Sequence, residues 1–281
     1  MKKILITGAN SYIGTSFEKY IRENYPNDYV IDTVDMIDGT WREKSFAGYD
    51  SVFHVAGIAH QKETNENKSL YYSINRDLAI ETAIKAKKEG IAQFIFLSSM
   101  SVYGMDTGVI TKQTLPNPKT NYGHSKLEAE RGVNALVDNE FKVCVIRPPM
   151  VYGKGCKGNF NKIKKLVEKL PIFPNVENER SMIYIDNLSS FVKMSVDNSL
   201  SGVFLPQNKE YVSTVDLAMG IAKSIGKKIH LDYITGIAVK ILRLFYPSAK
   251  KAFGSLVYRD TEEFDFSYVI VDDKESYTSS I

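Results

Sequence analysis

The chain has 281 residues, 43% of them hydrophobic and 25% charged, and its formal net charge is +3. That is enough apolar material for one large or two modest domains. The charge is too small to argue for a nucleic-acid partner but compatible with a small anionic ligand. Two cysteines, Cys144 and Cys156, exclude a disulfide framework and fit a reducing cytoplasm.

The opening "MKKILITGAN" carries the lysines of a signal peptide without its long apolar core, so no exported leader is expected. "KKILITG" reads as a buried strand and "SYIGTSFEKYIRENY" as the helix after it. "YVIDTVD" is a second strand and "DSVFHVAG" a third. A polar stretch leads to the helix "NRDLAIETAIKAKKEG", the strand "QFIFLSS", the helix "SKLEAERGVNALVD" and the strand "FKVCVIRP". Continuous apolar strands alternating with helices predict an α/β fold, a Rossmann-like doubly wound parallel sheet covered on both faces. Its ligand belongs at the carboxyl ends of the strands.

After "RPPMVYGKG" the pattern loosens into lysine-rich helical segments and proline-bearing loops. The expected division is a dinucleotide-binding domain over 1–154 and a smaller C-terminal substrate-binding region over 155–281, parts of which return to the sheet. "YITGIAVKILRLFY", 233–246, is interrupted by Lys240 and Arg243 and reads as an amphipathic core or lid helix rather than one lying on a membrane. No apolar run reaches the roughly 18 residues of a membrane span. Neither a membrane nor a nucleic-acid partner is expected, and the expected location is the cytoplasm.

"ITGANSYIG" joins the first strand to the first helix. Gly8 allows the tight turn and Gly14 close helix–strand packing, and the helix start at Ser11, Tyr12 and Ile13 offers N–H groups to a pyrophosphate. The middle small position is Ser11 rather than glycine, which crowds that approach. Asp35 ends the second strand, where an acid binds the adenosine ribose hydroxyls and repels a 2′-phosphate. NAD is therefore preferred, with NADP the alternative. Asp38 is close by, and the sequence does not choose between the two acids. In "HVAG", Ala56 and Gly57 let the backbone approach a cofactor at a strand end.

In "NYGHSKLEAE", Tyr122 and Lys126 stand at i and i+4, on one helical face. A tyrosine titrates near pH ~10, and a neighbouring ammonium lowers that value by favouring the phenolate. "FLSSMSVYG" supplies hydroxyls at Ser98, Ser99 and Ser101 at a strand end. His60, in the loop beyond His54, is open to two readings, a substrate-facing group or a satisfied loop residue; His54 reads as structural. Cys156 has no neighbour that argues for a nucleophile, and no cluster has metal-ligand spacing.

The segments "TGANSYIG", "DSVFHVAG", "YYSINRDLA", "FLSSMSVYG", "YGHSKLEAE" and "RPPMVYGKG" resemble the extended short-chain dehydrogenases/reductases of the NAD-dependent epimerase/dehydratase branch. "KGNFNKIKKLVEKLPIFPNVENERSMIYIDNL" is similar to bacterial nucleotide-sugar 4-epimerases and 4-ketoreductases of surface-polysaccharide synthesis. The resemblance implies Tyr122 as acid/base, Lys126 on the nicotinamide ribose and Ser99, beside Met100, on the sugar's C4 oxygen. It also implies Asn75 as a buried support of the cofactor side, Asn159 and Phe160 at the nucleotide diphosphate, Ile172 and Phe173 at uracil, and Arg180 at the ribose or phosphate. The implied substrate is a UDP-linked hexose and the implied assembly a homodimer built on segments 77–89 and 124–136. Met100 and Ser101 stand where the family's dehydratases carry acid–base side chains, which argues against dehydration. Epimerase and ketoreductase remain two readings, and a non-catalytic dinucleotide sensor or assembly module on the same fold is the alternative from another class.

Overall fold

The computed structural model describes residues 1–59, 61–156, 158–260 and 267–280, leaving the side chains of Asn159, Pro247, Ser248 and Thr278 outside that description. His60 lies outside the described residues. In chain order the elements are β1 (Lys2–Thr7), α1 (Tyr12–Asn24), β2 (Tyr29–Val34), β3 (Ser51–His54), α2 (Lys68–Tyr72), α3 (Leu78–Lys88), β4 (Gln93–Leu97), β5 (Gly108–Ile110), α4 (Asn121–Asn134), β6 (Lys142–Ile146) and β7 (Met150–Tyr152). They continue with α5 (Asn159–Lys169), β8 (Ile172–Pro174), β9 (Met182–Tyr184), α6 (Ile185–Asp197), β10 (Gly202–Phe204), α7 (Thr214–Ser224), β11 (His230–Asp232), α8 (Tyr233–Phe245), α9 (Pro247–Phe253), β12 (Leu256–Tyr258) and α10 (Asp273–Ser279).

The chain divides into two compact units. The first comprises 1–104, 116–148 and 188–206, and the second 105–115, 149–187 and 207–281. The sequence places the division after residue 154, with parts of the later region returning to the sheet; residues 188–206 are such a part, and residues 105–115 go the other way. Residues 188–206 belong to the first unit because β10 pairs with β6 and forms the edge of the sheet, Val203 opposite Val145. Residues 105–115 belong to the second because β5 pairs with β12, Val109 opposite Val257.

In the first unit six strands form one parallel sheet in the order β10-β6-β4-β3-β1-β2. Strands β3 and β4 are buried at every residue, as expected for a sheet covered on both faces. Alternation along the strands sends Leu5, Val52, Phe94 and Val143 to one face. There Ala79, Ala83 and Ala86 of α3 and Ala129 and Val133 of α4 complete the core, small side chains letting the helices lie close. On the other face Phe17 of α1 meets Phe53 edge-on at 5.3 Å. The two segments expected to pair between subunits are thus largely α3 and α4, with Ala79, Ala83, Ala86 and Ala129 buried in the unit's own core.

The second unit is built on three parallel strand pairs, β7 with β9, β8 with β11, and β5 with β12. Tyr152 is fully buried, packed against Phe160, Tyr184 and Tyr277, and its hydroxyl meets Ser276 Oγ at 2.6 Å. Ser276 and Tyr277 of α10 are thereby part of the core of this unit, and Tyr268 also reaches the Gln207 backbone carbonyl at 2.9 Å.

Phe94, at the centre of the sheet, has no exposed surface. Phe94→Ala should lower the unfolding free energy by about 3–5 kcal/mol, the usual cost of a large core cavity. Urea denaturation followed by far-UV circular dichroism checks this, and a loss below about 1 kcal/mol would contradict the packing described.

Candidate active site

The turn after β1 is shaped by Gly8, whose φ of 110° suits glycine. A Cβ there would also lie 2.7 Å from the Ala56 backbone nitrogen. The amides of Gly8 and Ala9 both donate to the Val34 carbonyl at 3.0 and 3.1 Å, tying the turn to the end of β2. Ser11 is the N-cap of α1, and its Oγ accepts from the Gly14 amide at 3.1 Å. The residue that replaces a glycine in the turn therefore caps the helix, and Tyr12 and Ile13 form the first helical turn beside it. Asp35 follows β2 directly and accepts from the Ile37 amide at 2.9 Å through one oxygen. Asp38 is committed to Thr40, accepting from its amide at 3.0 Å and its hydroxyl at 2.7 Å, and those bonds hold its carboxyl below the ordinary value.

Ala56 and Gly57 leave the end of β3, and a Cβ on Gly57 would come 2.9 Å from Asn75 Oδ1 and 3.3 Å from Lys126 Nζ. Asn75 is fully buried in a π-helical turn, Ser73–Asp77. Its Oδ1 accepts from the Ile58 amide at 2.8 Å, while Nδ2 donates to the Ile58 carbonyl at 3.1 Å and to Ser125 Oγ at 3.2 Å. Ser125 Oγ donates in turn to the Tyr122 carbonyl at 3.0 Å. One amide side chain thus pins the strand-end loop to α4.

Helix α4 starts at a capped turn. Thr120 Oγ accepts from the Gly123 amide at 3.0 Å, and the Glu63 carboxylate accepts from Asn121 and Tyr122 at 2.8 and 3.1 Å. An acid at a helix N-terminus also complements the helix dipole. The Tyr122 ring meets Tyr71 edge-on at 6.5 Å. Burial raises the Tyr122 phenol above its ordinary value of 10, with the Ser99 hydroxyl, its hydrogen-bonding neighbour, acting in the opposite direction. Ser99 caps the 3₁₀ turn Met100–Tyr103, accepting from the Ser101 amide at 3.1 Å, and the Met100 amide donates to the Pro148 carbonyl at 2.9 Å. Lys126, one turn beyond Tyr122, is 4% exposed. Its Nζ donates to the Leu97 carbonyl at 2.9 Å and lies 4.7 Å from the Phe96 ring centre. Burial brings it down to about 8, against the opposing pull of the Glu130 charge.

Two arrangements therefore face the same strand ends: a glycine turn with a helix N-terminus, and a phenol, hydroxyl and ammonium grouped on α4 and the end of β4. The model of the NAD dependent epimerase/dehydratase family matches residues 4–203. The chain belongs to that family.

A UDP-glucose 4-epimerase of Vibrio cholerae is 32% identical over 253 residues, covering 80% of this chain and 76% of that protein. An N-acetyl-alpha-D-glucosaminyl-diphospho-ditrans,octacis-undecaprenol 4-epimerase of Escherichia coli O157:H7 is 26% identical, covering 83% and 76%. The fold matches that of UDP-glucuronic acid 4-epimerase from Bacillus cereus in complex with NAD, at a TM-score of 0.73 and 19% identity over 99% and 95% of the two chains. As a family member the chain is an NAD-dependent enzyme of the extended short-chain dehydrogenase/reductase type, a nucleotide-sugar epimerase or reductase.

The residues present fit NAD. The space a Cβ would fill at Gly8 and Gly57 is kept open beside backbone and beside Lys126, and Asp35 has an oxygen left at the end of β2. The first unit also contains a buried cluster that sequence reasoning did not single out. Glu130, one turn beyond Lys126, receives three contacts from Arg147 at 2.5 to 3.2 Å and a hydrogen bond from Ser98 Oγ. Arg147 also donates to the Tyr103 hydroxyl at 2.9 Å. The available signal was a third polar residue on the Tyr122–Lys126 stripe together with an arginine ending an apolar strand.

The remaining expected site residues lie in the second unit. Asn159 opens α5, and Phe160 is buried against Tyr152 at 5.6 Å between ring centres. Ile172 is half exposed, whereas Phe173 is buried with its ring 6.2 Å from Phe253. Arg180 donates to the Gly254 carbonyl at 2.7 Å. Burial pulls its guanidinium down, with Asp106 acting in the opposite direction, and no carboxylate comes within 4.0 Å among the described residues. Among the described residues no group of acidic, histidine and cysteine side chains could hold a metal ion, and no helix is long and apolar enough to cross a membrane.

His54 is fully buried, its Nδ1 2.7 Å from Thr7 Oγ1 and its ring stacked near Phe94 and Phe96. Burial, with a smaller push from the Lys126 charge, lowers it from 6.5 to about 3. Between those values the unfolded chain binds a proton that the folded one refuses, so stability must fall as pH drops below about 6.5. This group contributes a limiting slope of about 1.4 kcal/mol per pH unit. His54→Asn should flatten the pH dependence, measured as urea-unfolding free energies at about pH 7 and about pH 5 in both proteins. Equal slopes would remove His54 as the cause.

Proposed function

We propose that the enzyme exchanges hydride between NAD and C4 of a UDP-linked hexose, as a 4-epimerase or a 4-ketoreductase. The reading is supported above all by the grouping of Tyr122, Ser99 and buried Lys126 at the carboxyl end of the sheet. The 4-epimerase activity printed for the Vibrio cholerae relative agrees with it.

When bound, NAD supplies the hydride acceptor and donor. The Gly8 turn and the N-terminus of α1 take its diphosphate, Asp35 its adenosine ribose and Lys126 its nicotinamide ribose. Ser99 orients the C4 oxygen and Tyr122 exchanges the proton there. A phenol raised by burial is neutral near pH 7 and suits proton donation to a C4 carbonyl, the reductive half of the exchange. Met100 and Ser101 place no acid or base beside Ser99, so elimination of water across the ring has no catalyst in this turn. In the second unit Arg180 is the residue we assign to the substrate's diphosphate, a half-buried cation without a carboxylate partner among the described residues.

Tyr122→Phe should lower the rate of UDP-hexose turnover by about 10²–10⁴-fold while leaving NAD binding in place. Product formation followed by NMR, with cofactor binding followed by fluorescence, tests both halves. A variant that keeps the wild-type rate removes Tyr122 from the chemistry and the reading with it. Full retention of NAD through gel filtration favours the closed hydride cycle of an epimerase, and reversible NADH binding favours the reductase.

A further inference from the structure

Helix α8 directs its apolar stripe to solvent. Its inward contact is made at Gly236, where a Cβ would lie 2.2 Å from the Asn175 carbonyl oxygen, so the helix can rest directly on backbone. The opposite stripe comprises Ile234, Ile237, Ile241, Leu244 and Phe245, which are 54% to 78% exposed. Tyr233 and Tyr246 extend it at both ends at 74% and 56%. These positions recur at helical spacing along the whole element, forming a contiguous patch of a kind monomeric soluble surfaces seldom leave uncovered.

Asp232 caps the N-terminus of α8, and beyond that cap the chain carries only positive charge as far as Tyr258. From Tyr233 to Tyr258 the sequence contains Lys240, Arg243, Lys250 and Lys251 and no acidic residue. Lys240, Arg243 and Lys250 line a cleft of about 450 Å³ together with Thr107 and Ser255. None of the three has a carboxylate within 4.0 Å among the described residues, and Lys251 alone pairs, with Asp106 at 3.8 Å. An occupant must therefore offer both an apolar phase and negative charge. A second copy docked through the same face would set three unpaired cations against three, a repulsive arrangement.

We propose that α8 and α9 form a docking surface for an anionic lipid bilayer. The stripe from Ile234 to Phe245 enters the boundary between headgroups and acyl chains, and the cations of the cleft meet lipid phosphates. This reverses the sequence-based expectation of no membrane partner, and it stands whichever sugar the active site takes.

The test is co-sedimentation of the full chain with vesicles of phosphatidylglycerol and phosphatidylcholine, and of phosphatidylcholine alone. Binding should be confined to the anionic vesicles and weaken with added salt. Ile237→Glu with Leu244→Glu should abolish it. Lys240→Ala, Arg243→Ala and Lys250→Ala together should weaken it roughly 10²-fold, from about fivefold per cation near an anionic surface. Thermal unfolding by circular dichroism controls for folding, and the two variant sets are independent should one misfold. Failure to bind anionic vesicles overturns the proposal, as does binding that survives both sets. A dimer dispersed by the glutamate pair, with no vesicle binding, would assign the stripe to a second copy instead.

Discussion

A buried ion pair, Glu130 with Arg147, holds the candidate active site together. Glu130 is 2% exposed and Arg147 8%, so each charge is compensated mainly by the other. Removing one member of such a pair typically costs about 3–5 kcal/mol because the remaining charge is stranded. Their partners explain why the pair matters beyond stability. Glu130 lies on α4 in line with Tyr122 and Lys126, Arg147 follows β6, Ser98 follows β4, and Tyr103 closes the turn that Ser99 caps. One cluster therefore fixes the distance between the helix that carries the phenol and ammonium and the strand end that carries the hydroxyl.

The same cluster sets the electrostatics. Burial alone would drive Lys126 toward neutrality, and the carboxylate one turn away opposes it. The result is an ammonium titrating near 8, anchored on the Leu97 carbonyl. The sequence argument expected Lys126 to depress Tyr122. In the folded protein burial dominates instead and raises the phenol, because the ammonium is turned toward the strand end and the Ser99 hydroxyl is the group that counters burial. Asn75 and Glu63 complete the frame from the other side, the first pinning the loop after β3 to α4 and the second holding the first turn of that helix.

How much of this was legible follows from how local each interaction is. The strands "KKILITG" and "QFIFLSS" and the pairing of Tyr122 with Lys126 depend on neighbours within a few residues, so the pattern alone carries them. Asp35 and Asp38 could not be separated by spacing, whereas the hydrogen bonds of Asp38 to Thr40 leave Asp35 as the less committed acid. A return of part of the later region to the sheet was expected, but the choice of β10 for it and the pairing of β5 with β12 join segments far apart in sequence, and three-residue strands carry too little periodicity to announce a partner. Phe173 shows a further limit: the strand β8 alternates, which says that Ile172 and Phe173 face opposite ways but not which one is buried.

Helix α8 presents that ambiguity on a larger scale. The spacing of Ile234, Ile237, Ile241 and Leu244 identifies an apolar stripe, and an apolar stripe is ordinarily read as the side facing the core. What reverses it here is a single glycine. With Gly236 the smallest side of the helix becomes the one able to approach the Asn175 backbone, and a larger residue there would collide with it. The side that packs best by shape is then not the side that is most apolar. The isoleucines are left outside, while Lys240 and Arg243, four and seven residues beyond Gly236, stand on the cleft side of the helix. A fold that needed only its own stability would be expected to place an ordinary side chain at Gly236 and turn the stripe inward; the outward stripe therefore speaks for a surface kept for contact rather than for packing.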